Sequence, residues 1–172
     1  MASSQIQIKK VALAGLLIAV GIILSPWSIP IGASRCFPIQ HAVNVLAGVL
    51  LGPWYGCGMA FVTSTIRVMM GTGTLLAYPG SMCGALLCGL LYQKLGRHLP
   101  LAFVGEAFGT GILGGILCYP VATLLMGKEA AVFAYVIPFL TASAVGAAMS
   151  TVLLLALKKS GALSWMERSL QS

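Results

Sequence analysis

Apolar residues fall along this chain in six long runs, separated by short breaks that are basic or rich in glycine and proline. The runs cover approximately residues 9–25, 39–52, 54–70, 81–93, 100–126 and 132–158, with a short tail at 159–172. None alternates in the manner of a half-exposed strand, and the longest can cross about 30 Å of hydrocarbon as helices. The pattern predicts an all-α integral membrane protein, residues 1–172 forming a single six-helix domain. The tail reads as a short interfacial helix anchored by Trp165.

Small residues mark where these helices meet others. Ala12, Gly15 and Ala19 form a stripe at spacings of three and four, which suits close approach of another helix, in this chain or in a second subunit. The fifth run is dense in glycine, and Ala142, Gly146 and Ser150 recur every four residues along the sixth. Both patterns predict tightly packed seams. No internal repeat is evident.

Composition agrees. Apolar residues make up 59% and charged residues 8%, against roughly 25% charged in soluble domains, so lipid must solvate most of the chain. The net charge of +7 does not form a patch or stripe, which argues against nucleic acid. With six spans, Lys9, Lys10, Lys94, Arg97, Lys158, Lys159 and Arg168 share one side, and Arg35, Arg67 and Lys128 share the other. The positive-inside rule then places both termini in the cytoplasm and the loops at 25–38, 71–80 and 127–131 outside. The five cysteines show no CxxC spacing and mostly sit inside apolar runs, as small core residues do; no metal site is expected. No cleavable signal peptide is expected either, because the first run is long enough to span.

The stretch from Ser25 to Asn44 is where the chain turns polar and irregular. Pro26, Pro30 and Pro38 forbid a continuous helix. A helix starting past Pro38 puts Asn44 on one face with Gln40 and His41. With Trp27, Arg35 and Phe37 from the loop, and Ser64, Arg67, Tyr78, Ser81 and Tyr119 from the outer ends of later spans, these predict an outward-facing small-molecule pocket. Arg67, an intramembrane charge, has to face the bundle or snorkel to the outer headgroups. Glu106 lies 13 residues before Tyr119, about 220° around a regular helix. It reads as a structural or partner-contacting group nearer the cytoplasmic end, or else as a ligand contact, leaving no acid at the outer ends of the spans and Glu129 only as a loop candidate.

Enzyme signatures are missing: no phosphate loop of the Walker A type, no HExxH, no GxSxG and no carboxylate pair at helical spacing. No catalytic residue is expected. Three readings are weighed on residues alone: a solute-binding component of an importer powered by partners, a small membrane enzyme using His41 and Arg67 on headgroup phosphates, and an oligomeric pore. The enzyme lacks a base beside His41, and a pore requires polar faces running the full length of the spans.

The strings Arg35-Cys-Phe-Pro-Ile-Gln-His41, Asn44-Val-Leu-Ala-Gly-Val-Leu-Leu-Gly-Pro-Trp-Tyr55, Gly71-Thr-Gly73, Tyr78-Pro-Gly-Ser-Met82 and Gly109-Thr-Gly-Ile-Leu-Gly-Gly115 resemble the ThiW family. Those are S components of energy-coupling factor (ECF) transporters, specific for the hydroxyethyl-thiazole precursor of thiamin. The resemblance implies a bacterial cytoplasmic membrane protein that docks on a transmembrane T component and two cytoplasmic ATPases. ATP is then used by those partners, and this chain needs no cofactor of its own. In that family a small-residue motif on the first helix serves docking, a place taken here by Ala12, Gly15 and Ala19. A neutral thiazole alcohol suits Gln40, His41 and Asn44 as hydrogen-bonding groups and Trp27, Phe37, Tyr78 or Tyr119 as stacking faces. Cationic thiamin calls for a carboxylate, while Arg35 and Arg67 leave a phosphorylated thiazole open. Another vitamin remains the alternative cargo.

Overall fold

The computed structural model describes residues 2–31 and 34–170; the side chains of residues 2–3, 29–31 and 34–36 lie outside the described residues. The chain is helical apart from one small hairpin. Helix α1 is Ala2–Ile23, and strands β1 (Ile29–Ile31) and β2 (Ser34–Cys36) follow. Then come α2 (Pro38–Leu50), α3 (Pro53–Met69) and α4 (Ala77–Lys94). The long α5 (Leu99–Leu125) and α6 (Val136–Lys159) precede a short α7 (Ala162–Ser169). By length and apolarity Ser4–Ile23, α5 and α6 can cross a membrane, and α2 is a shorter apolar helix.

Proline sets several helix starts. Pro38 and Pro53 open α2 and α3, where the missing N–H costs nothing because first-turn donors have no intrahelical partner. The same tolerance moves one boundary. The sequence suggests a loop through Gly80, yet α4 already begins at Ala77 with Pro79 in its first turn. Conversely α6 starts at Val136 rather than 132, with Pro138 again in the first turn. Between α1 and α2 the prolines exclude helix as expected, and the backbone pairs instead: β1 and β2 are antiparallel, with Ile29 opposite Cys36 and Pro30 opposite Arg35.

Helix α2 is the hub of the bundle. It touches α1, α3, α4, α5 and α6, and its buried residues include Val43, Asn44, Val45, Ala47 and Val49. Its 13 residues give a length of about 20 Å, well short of the longer helices around it. Space therefore opens above its N-terminus, under the hairpin and the connecting loops.

Close helix approach depends on the glycine seams. A Cβ on Gly105 would come within 2.7 Å of Cys88 Cα and one on Gly109 within 2.7 Å of the Cys83 carbonyl oxygen, both on α4. On another side of α5, Gly111 and Gly115 lie against Leu140 and Val136 of α6. The predicted seam on α6 packs onto α2: Gly146 abuts the Pro38 carbonyl and His41, and Ser150 Oγ donates to the Ala42 carbonyl at 2.6 Å. Two π-helical turns, Gly109–Gly114 and Val121–Leu125, interrupt α5 and change which residues share its faces.

At the opposite end of the bundle α7 folds back. Leu163 and Leu170 are buried in the core, Tyr92 Oη donates to Glu167 Oε1 at 3.0 Å, and Arg97 lies 3.8 Å from the same carboxylate. Trp165 is exposed.

Helix α1 is different. It rests on α3 and α2 through Leu13, Ala14, Leu17 and Ile18, but only 11% of its apolar window is buried. Ala12, Gly15 and Ala19 all lie on its exposed face, and nothing comes within 4 Å of a Cβ built on Gly15. The stripe does not pack within this chain.

Candidate functional site

The space above α2 is a cavity of about 900 Å³, at the upper end of the usual range for small-molecule sites. Gln40 and His41, from the first turn of α2, and Ser81 of α4 form its polar base. Phe37 and Arg67 make one wall; Tyr135, Pro138, Phe139 and Ala142, around the start of α6, make another. The stretch Gly71–Thr74 and the loop residues Lys128 and Glu129 complete the rim.

The base is held by a buried hydrogen-bond network joining four helices. Gln40 Nε2 donates to Ser81 Oγ at 2.8 Å and to Ser64 Oγ at 3.2 Å. Asn44 Nδ2 donates to Ser81 Oγ at 2.9 Å and to Glu106 Oε1 at 3.2 Å. His41 Nδ1 sits 2.9 Å from the same Glu106 oxygen, as does Thr110 Oγ1. With Nδ1 engaged by the carboxylate, Nε2 is the ring nitrogen left for other contacts. Nε2 has no protein partner among the described residues, so His41 brings one unsatisfied polar atom to the cavity lining.

Glu106 is fully buried and its second oxygen, Oε2, has no hydrogen-bond partner. That oxygen lies against Gly84 of α4, where a Cβ would come within 2.6 Å of it and would also collide with Thr110. Glu106 is buried away from any second subunit and is not in the cavity lining, so of the three roles read for it from sequence the structural one fits its contacts. Glu129, the loop candidate, lines the mouth of the cavity, and the Glu106 carboxylate lies one side chain behind its wall.

Arg67 is 1% exposed; it faces the bundle and does not snorkel. Its guanidinium carbon is 4.1 Å from the centroid of the Phe37 ring, and Nη2 donates to the Thr72 carbonyl at 3.0 Å. The other expected residues fall in three groups. Phe37, Gln40, His41, Arg67 and Ser81 line the cavity, and Asn44 supports it from below. Trp27 is 75% exposed and not in the lining. Tyr78 is also outside it, packing its ring on Phe61 and donating to Thr65 Oγ1 at 3.1 Å, and Tyr119 is half-buried elsewhere on α5. Arg35 is on β2, opposite Pro30, but its side chain lies outside the described residues.

Sequence reasoning missed Glu106 and Thr110 under the base and the α6 wall. A signal existed for the wall in the aromatic and proline cluster Tyr135, Pro138 and Phe139. For Glu106 the only sequence signal was its rarity as an intramembrane acid.

The apolar helices long enough to cross a bilayer are those of a membrane protein, and its cavity has the size of a small-molecule site. The family described as thiamine-precursor transporter protein (ThiW) matches residues 11–160, and the chain belongs to it. It is accordingly a membrane transport protein concerned with thiamin precursors. No curated protein and no solved structure matches the chain.

Proposed function

We propose that this protein is the substrate-capturing S component of an ECF-type importer, taking the hydroxyethyl-thiazole precursor of thiamin into the cavity above α2. The observation that carries the reading is the base formed by Gln40, His41 and Ser81, which sets fixed polar groups beneath an enclosure of mixed polar and apolar walls. A five-membered heterocycle with a hydroxyl arm presents one ring-nitrogen acceptor and one hydroxyl. His41 Nε2 can accept from that hydroxyl. Phe37 and Phe139 offer flat faces for stacking.

In this reading the six helices α1 to α6 span the bacterial cytoplasmic membrane, both termini are cytoplasmic, and the cavity opens outward. The charge distribution supports that orientation, seven basic residues lying at the terminal side and three at the other. These residues contain no phosphate loop, so the power for transport comes from partners: a transmembrane T component and two ATPases. The stripe of Ala12, Gly15 and Ala19 supports a docking role for α1, since all three are exposed and among the described residues nothing lies within 4 Å of a Cβ on Gly15.

The test is equilibrium binding of hydroxyethyl-methylthiazole to the purified protein in detergent, with thiamin, pyridoxine and pantothenate as competitors. Saturable binding that the other vitamins do not displace is the expected result. Preferential binding of pyridoxine or pantothenate would overturn the thiazole assignment and leave the importer reading in place.

A further inference from the structure

We propose that the cavity contains an anion subsite at Arg67, so that the cargo carries an acidic group, a phosphate monoester or a carboxylate, on the side facing α3. The proposal rests on the reading above that this cavity holds the cargo.

Charge accounting carries it. The whole chain has three acidic side chains. Glu167 is engaged by Tyr92 and Arg97 at the far end of the bundle. Glu106 is engaged by His41, Asn44 and Thr110 and is not in the lining. Glu129 is exposed at the mouth, and Lys128 beside it carries the opposite charge. Arg67 thus has no carboxylate partner among the described residues, although it is 1% exposed.

What surrounds Arg67 compensates only part of its charge. It sits in the last turn of α3, where the carbonyl end of the helix favours a cation, and it lies on the face of Phe37. One of its nitrogens, Nη2, is satisfied by the Thr72 carbonyl. Nε is buried without a partner, and Nη1 has no acceptor among the described residues either. A guanidinium held over an aromatic ring, with part of its donor fork unused and lining a cavity, is preorganised for the paired oxygens of a phosphate or carboxylate. Lys128 at the rim adds a second cation on the same cavity.

The experiment compares hydroxyethyl-methylthiazole, its phosphate and the corresponding thiazole carboxylate by calorimetry on the purified wild-type protein, at low and high salt. At least one acidic form should bind about tenfold or more tighter than the alcohol, with the advantage shrinking as salt rises. Which one wins decides between phosphate and carboxylate. Arg67→Gln should erase the preference of the acidic form over the alcohol, and Arg67→Lys should restore part of it. Wild-type protein that binds both acidic forms no tighter than the alcohol overturns the anion subsite and leaves the thiazole reading standing. If no thiazole compound binds, that reading falls, and inorganic phosphate decides the subsite. A rise in the wild-type melting temperature that Arg67→Gln abolishes upholds it, and no rise in wild type overturns it. The wild-type comparisons decide the matter even if Arg67→Gln fails to fold.

Discussion

His41 Nδ1 and Glu106 Oε1 stand 2.9 Å apart, tying the first turn of α2 to the first third of α5 directly beneath the cavity. The contact makes the orientation of a cavity-lining imidazole depend on a carboxylate that never touches the cavity.

Glu106→Ala should therefore do two things at once. It leaves the donors of His41, Asn44 and Thr110 without their acceptor, costing about 1–3 kcal/mol, and it frees the His41 ring. The expected result is a lower melting temperature in detergent together with weaker ligand binding. Glu106→Gln, which keeps one acceptor oxygen, should recover most of the stability.

Gly84→Ala is a more pointed test of the same network. The added methyl would meet Thr110 and Glu106 Oε2, so it should reduce binding although no polar group has been removed. Its cost is of the order of 1–3 kcal/mol for overpacking. Gly58→Ala, with nothing within 4 Å of the added carbon, is the control and should behave as wild type in both thermal unfolding and binding.

Among the lining residues, His41→Ala and Gln40→Ala should weaken binding by about tenfold, the equivalent of one hydrogen bond of about 1.5 kcal/mol. Asn44→Ala is expected to lower stability as well, because Asn44 bridges Ser81 and Glu106 below the cavity. Calorimetry and thermal unfolding on the same preparations separate the two effects.

Gly15→Leu should leave ligand binding and melting temperature unchanged, since the site is open, yet abolish uptake by cells expressing the full importer. Loss of binding in the isolated protein would show that α1 helps to build the cavity.

The orientation can be read by labelling. In a cysteine-free background, Lys128→Cys should react with a membrane-impermeant maleimide in intact cells, and Ser164→Cys only after permeabilisation. The reverse pattern would invert the proposed topology.

Much of the architecture was legible because lipid leaves a chain few options. Apolar runs bounded by lysines become helices, and Pro38 at the first position of α2 places Gln40 and His41 together in its opening turn. The seam of Ala142, Gly146 and Ser150 could be seen as a seam, although not that α2 was its partner. Other features depend on how separate elements meet. Tyr78 and Tyr119 were assigned inward on an outer-end argument, but facing depends on where α4 starts and on the π-helical turns of α5, neither of which is visible in hydrophobic periodicity. Glu106 was placed by counting along one helix. Its role comes from α2 lying alongside α5 and from the missing Cβ at Gly84 on a third helix.

The loose seating of α1 has a further consequence. On the proposed reading the solute chamber is framed by α2, α3, α4, α6 and the connecting loops, while α1 is held by α2, α3 and a Lys9 contact to the end of α7. Changes on the outward side of α1 can accumulate without disturbing what the chamber recognises, and changes in the chamber leave that side untouched. A receptor divided in this way can keep its taste for one solute while being refitted to a different carrier.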